Sequence, residues 1–149
     1  MDSRGIELYK LYVELADRVS ERRLKANTFF LSINSFLIAL AGLLKAISLE
    51  HLAKPWSLFV CAAGIAMCYF WYRLILSYKG LNTAKFKVIH DMEAELELKP
   101  FDAEWVHLES GENDNVYKPL THIELNIPRI FIALYVVILT WSTLELALL

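Results

Sequence analysis

The sequence predicts an all-α integral membrane protein, with three transmembrane helices and a small helical cytoplasmic bundle. Three uncharged apolar stretches carry that expectation: Ala26 to Leu44, Pro55 to Tyr72 and Ile130 to Leu144. Composition agrees, since hydrophobic residues make up 56% of the 149 positions and mean hydropathy is +0.39. A soluble chain of this length could not wrap three charge-free helices in a polar shell, because surface grows relative to volume in small domains.

From Ser3 to Lys25 the apolar positions Ile6, Tyr9, Val13 and Ala16, joined by Leu8, Tyr12, Leu15 and Val19, recur at helical spacing. Glu7, Lys10, Glu14, Arg18, Glu21 and Lys25 take another face, so residues 1–25 read as a cytoplasmic amphipathic helix. No Pro or Gly separates it from the first apolar stretch, and Glu14 with Arg18 and Glu21 with Lys25 are pairs of favourable order. One long helix running into the membrane is expected. A cleaved signal peptide is the competing account of the first stretch, with Ala39, Ala41 and Gly42 imitating a cleavage site. The 25 residues ahead of it are too long, too mixed in charge and too amphipathic, so the segment is expected to be retained.

The first stretch has 19 residues and the second 18, nearly enough at about 1.5 Å per residue to cross a hydrocarbon core of roughly 30 Å. A short turn from Ser48 to Lys54, with Pro55 at the first turn of the next helix, makes residues 26–79 a transmembrane hairpin. The helical pattern continues through Arg73 to Leu98, with Leu81, Ala84, Val88 and Met92 in one row. It reads either as one helix or as a second one starting near Asn82, ended by Lys99-Pro100. Residues 80–127 form this cytoplasmic helix and a polar connector with turn chemistry at Ser110-Gly111 and Asn113 to Asn115. Trp105, Val106, Leu108, Tyr117 and Leu120 are what the amphipathic helices are expected to pack against. The third stretch has 15 residues between Arg129 and Glu145; snorkelling flanks and Leu146 to Leu149 extend it, so 128–149 reads as the third span.

Charge sets the topology. Arg18, Arg22, Arg23 and Lys25 precede the first span and Arg73, Lys79, Lys85 and Lys87 follow the second, whereas the hairpin turn offers Lys45 and Lys54. The positive-inside rule puts the N-terminus and the chain's middle in the cytoplasm and the C-terminus outside. A net charge of −2 gives no general attraction to duplex nucleic acid.

In the first span Thr28, Ser32, Ser35, Ala39, Gly42 and Ala46 form a stripe of small residues, beside a second row holding Asn27, Leu31, Asn34, Ile38 and Ala41. Small residues let helix backbones approach closely in lipid, and amides there seek partners. One reading is packing within the hairpin against Ser57, Cys61, Gly64 and Cys68. The other turns Asn27, Ser32, Asn34, Ser35 and Gly42 toward a pore or a contact between copies, since polar groups at membrane depth face protein or water. The basic set Arg22, Arg23, Lys25, Arg73, Lys79, Lys85 and Lys87 fixes topology and is also a candidate anion site for a nucleotide, an oligonucleotide or a lipid headgroup.

Cys61 and Cys68, seven apart in one span, read as small packing residues rather than a disulfide or metal pair. Trp56, Tyr69, Trp71, Tyr72, Tyr78, Tyr135 and Trp141 cluster toward span ends, as rings with one polar edge do at headgroups. His90 with Glu93 and His107 with Glu104 share helical faces without a doubled metal-binding pattern. Glu109, Glu112 and Asp114 read as a solvated acidic loop. There is no phosphate loop, nucleophile elbow or paired-thiol motif, so no enzyme, metal or cofactor is expected.

The run Tyr78-Lys-Gly-Leu-Asn-Thr-Ala-Lys-Phe-Lys-Val-Ile-His-Asp-Met-Glu93, followed by Pro100-Phe101, Glu104-Trp105, Tyr117-Lys-Pro-Leu-Thr121 and Ile123-Glu124, resembles the bacterial RipA-type octameric membrane proteins. Arg23-Leu-Lys-Ala-Asn-Thr-Phe-Phe30 is similar to that family's N-terminal block. The resemblance implies an inner-membrane homo-oligomer, an octamer, and brings no catalytic residues. The architecture is also similar to small membrane effectors of anti-phage defence gated by nucleotide signals. The expected function is therefore a self-assembling inner-membrane protein acting as a ligand-gated channel or pore-type effector. A non-conducting scaffold or envelope-stress protein is the rival, and a lipid-modifying enzyme a distant third.

Overall fold

The computed structural model describes residues 2–46, 50–113 and 115–147. Its order is α1 (Ser3–Ala46), α2 (Glu50–Glu93), α3 (Pro100–His107), a 3-10 turn (Glu109–Gly111) and α4 (Leu120–Ala147). Three helices are long and apolar enough to cross a membrane, within Ser3–Leu43, Leu58–Glu93 and Leu120–Leu144. The expected helical membrane architecture is present.

Several boundaries differ from the sequence reading. Part of the expected turn, residues 47–49, lies outside the described residues, as do the side chains of Lys45, Ala46, Lys54, Trp56 and Ser57, those beyond Leu144, and Asp114. α2 begins at Glu50, so Pro55 falls in its second turn, not its first. It runs unbroken past Gly80 and ends at Glu93, not Leu98. Beyond it, bonds from the Glu95 and Leu96 amides to the Met92 and Glu93 carbonyls wind the chain into tight turns. The connector is not merely a loop: Pro100 starts α3, where its missing N–H costs no bond. α4 starts at Leu120 and carries Pro128 inside it. That proline removes a donor from one helical bond, yet its ring is fully buried, so packing holds the helix through it.

The chain divides into two compact units, Met1–Leu24 with Ile75–Ile123, and Lys25–Leu74 with Glu124–Leu149. In the first, Ala16 and Val19 of α1 and Ile75 and Ile89 of α2 are buried, and Phe86 meets Phe101 edge-on at 5.6 Å. Ile6, Leu8, Trp105, Val106 and Leu120 are exposed instead of filling this core. In the second, Cys61, Cys68 and Tyr135 form the centre, packed by Ile38, Ile65, Phe131, Ile132, Ile138 and Leu139.

Candidate functional site

The spanning unit is organised around Asn34, whose side chain is fully buried. Its Nδ2 donates back to the Phe30 carbonyl at 2.8 Å, a local bond available to a short polar side chain within a helix. Its Oδ1 accepts from the Tyr135 hydroxyl at 3.0 Å and from the Cys68 thiol at 3.2 Å. One amide thus ties α1 to α2 and α4. The Tyr135 ring lies over Gly64 so closely that a Cβ there would sit 2.2 Å from its Cζ.

A second polar contact uses Asn27, whose Oδ1 accepts from the Trp71 indole N–H at 2.8 Å and whose Nδ2 donates to Glu124 Oε1 at 2.9 Å. Trp71 is buried, stacked on Phe30 at 5.8 Å and 9° and flanked by Phe131 at 6.2 Å. Trp71 and Tyr135 are therefore interior hydrogen-bonding residues, correcting their assignment to a headgroup belt. Tyr69 and Trp141 are exposed.

Asn34 turns inward, not toward a pore or a neighbouring copy. Ser32, Ser35, Ala39 and Gly42 are exposed, and a Cβ on Gly42 would meet nothing. The small face expected on α2 serves two partners: Cys68 meets Asn34 of α1, as packing within the hairpin implies, whereas Gly64 receives Tyr135 of α4.

The basic residues take several environments. Arg23 donates to Thr121 Oγ1 at 2.7 Å, and Lys85 sits 5.6 Å above the Tyr12 ring. Arg22, Lys25, Arg73, Lys79 and Lys87 have exposed side chains.

A buried carboxylate that the sequence reading treated only as a weak metal partner organises the other unit. Glu93 is fully buried at the end of α2. Its Oε1 accepts from the Tyr9 hydroxyl at 2.7 Å and from the Phe101 amide at 3.1 Å, and Oε2 accepts from the Asp102 amide at 3.1 Å. A carboxylate at a helix N-terminus satisfies unpaired amides and complements the helix dipole. Burial, then the hydrogen bond and charge of Glu93, push the Tyr9 phenol up to about 12. His90 Nδ1 lies 3.9 Å from Glu93 Oε2 and 4.0 Å from Asp102 Oδ1. An acid placed in the apolar row of Ile89 and Met92, seven residues before Pro100, was the available signal.

Fold and site together define a multi-span helical membrane protein whose polar contacts lock helices together. A model of the octameric membrane protein family (8xMP) matches residues 6–144, and the chain belongs to that family. The family's name supports a homo-oligomer. No curated protein and no solved structure matches the chain.

Proposed function

We propose that this chain assembles in the bacterial inner membrane into a ligand-gated channel, with its N-terminus cytoplasmic and its C-terminus outside. The observation that carries the reading is the exposed line of Ser32, Ser35, Ala39 and Gly42 on α1. Hydroxyls at membrane depth are costly against lipid tails and favourable against protein or water. Small residues along the same line let neighbouring backbones approach. Exposed Arg22, Lys79 and Lys87 provide cationic groups for a nucleotide or oligonucleotide signal or for lipid headgroups. An effector role in anti-phage defence is the concrete form, supported by architectural likeness alone. The proposal assigns the chain no enzymatic activity.

Ion flux from liposomes holding the purified protein, with and without nucleotides, tests it. Ligand-dependent flux supports a channel, and an assembled protein that conducts under no ligand removes that part. One observation favours the rival, a non-conducting scaffold: Asn27 and Asn34 spend their polar groups within the chain.

A further inference from the structure

α3 has eight residues, and none of them is buried. A helix that short is not stable in water on its own. Within its unit it is held by the Glu93 carboxylate at its first amides and by Phe101 against Phe86. Its outward side is open: the Trp105 ring meets Tyr117 edge-on at 6.4 Å yet stays 43% exposed, and Val106 is 66% exposed and Leu98 just before it 82%. These side chains need a cover.

The surrounding charge says what kind. From Asp91 to Glu112 the sequence has eight acidic residues against a single lysine, Lys99. From His51 to His90 it has no acid at all. In that acid-free stretch, within the same unit as α3, the outer face of α2 shows exposed Leu76, Leu81 and Val88 beside exposed Lys79 and Lys87. A Cβ on Gly80 would meet nothing there. One surface is apolar with acidic flanks and the other apolar with basic flanks.

We infer that α3 and its acidic flanks dock on the Leu76–Val88 face of α2 in the adjacent copy of this chain. The inference rests on the self-assembly reading and names one of its contacts. Copies inserted in a bilayer with one topology are related by rotation about the membrane normal, so their contact joins two different surfaces head to tail. Complementary charge selects this pairing and opposes acid against acid. The bilayer is the poorer cover, because acidic flanks are repelled by anionic headgroups.

The test is charge reversal in the full-length protein, with oligomer mass read by light scattering in detergent. Lys79→Glu with Lys87→Glu, or Glu97→Lys with Glu104→Lys, should each abolish most of the large species, while all four together restore it. Two pairs that assemble like wild type, or a fourfold variant no better than either pair, overturn the inference. A second measurement does not depend on those variants folding. Leu81→Cys combined with Val106→Cys should give an oxidative ladder of linked copies, since Cys61 and Cys68 are buried. An intact assembly without that ladder overturns it. So does a fluorophore at Val106→Cys that is quenched by nitroxide lipids in phosphatidylcholine–phosphatidylglycerol vesicles, which would place α3 on the bilayer. A monomeric wild type defeats the self-assembly reading as well, whereas an intact assembly indifferent to these changes defeats this interface alone.

Discussion

The Tyr9 hydroxyl donates to Glu93 Oε1 at 2.7 Å across 84 positions of sequence, so the first turns of α1 and the end of α2 share a buried polar anchor. The same oxygen accepts the Phe101 amide. Three helices of one unit therefore meet at a single carboxylate.

That anchor sets a pH dependence. The Tyr9 phenol is raised from 10.0 to about 12, chiefly by burial and then by Glu93. Because the folded state holds this proton more tightly, the stabilisation is complete below about 10 and is lost as pH rises through about 12. Titration at 295 nm, as wild type minus Tyr9→Phe, should show a late phenolate. In Glu93→Gln the same difference curve should move to lower pH.

Removing the carboxylate should also free α3. Glu93→Ala leaves the Phe101 and Asp102 amides without their cap, a loss of about 1 kcal/mol by analogy with other N-terminal caps. Hydrogen exchange in detergent should show these two amides losing protection while the apolar centre of α2 keeps its own.

Asn34 carries the polar centre of the spanning unit. Asn34→Leu strips the Cys68 thiol of its acceptor and leaves the Tyr135 hydroxyl only the backbone carbonyl of residue 34, at 3.3 Å. Leaving a buried donor unmatched costs about 1–3 kcal/mol in soluble proteins, and interhelical bonds in membranes average about 0.6 kcal/mol. Thermal unfolding in detergent should show a destabilisation of roughly 1 kcal/mol, and Tyr135→Phe a smaller one.

Gly64→Ala should destabilise by about 1–3 kcal/mol, the usual range for overpacking, because its new methyl would lie 2.2 Å from Tyr135 Cζ. Gly42→Ala and Gly80→Ala, each inside a helix and facing open space, should instead stabilise the monomer by up to about 0.5–1 kcal/mol, the gain from replacing a helical glycine. Unfolding of the three variants side by side separates the cases.

The spans were legible because lipid demands long uncharged helices, a requirement that Ala26–Leu44 and Pro55–Tyr72 meet in plain sequence. The amphipathic row of α1 was legible too: Ala16 and Val19 are buried as its spacing implies, and Tyr9 reaches Glu93. Prolines misled in two ways. Pro100 opens a helix where a loop was expected, and Pro128 sits inside one where a start was expected. A proline marks one lost donor, and neighbouring packing decides whether the helix tolerates it.

The polar centre was harder to read. Asn27 and Asn34 stood out as amides within an apolar run, but their partners Trp71, Tyr135 and Cys68 lie 34 to 101 positions away. Tyr135 resembled an interfacial ring because composition cannot show that bare backbone at Gly64 awaits it on another helix. Trp105 and Val106 looked like core for the opposite reason. They are apolar in sequence, yet no α3 residue is buried within the chain.

An aromatic ring seated directly on backbone acts as a ruler between two helices. Cys61 and Cys68 stand about one turn below and above Gly64, so sliding α4 by a turn would push a thiol into the space the ring occupies. Positions 64 and 135 should consequently drift as a couple: a bulkier residue at the first becomes tolerable once the second shrinks, and Tyr135→Ala should rescue Gly64→Ala in part.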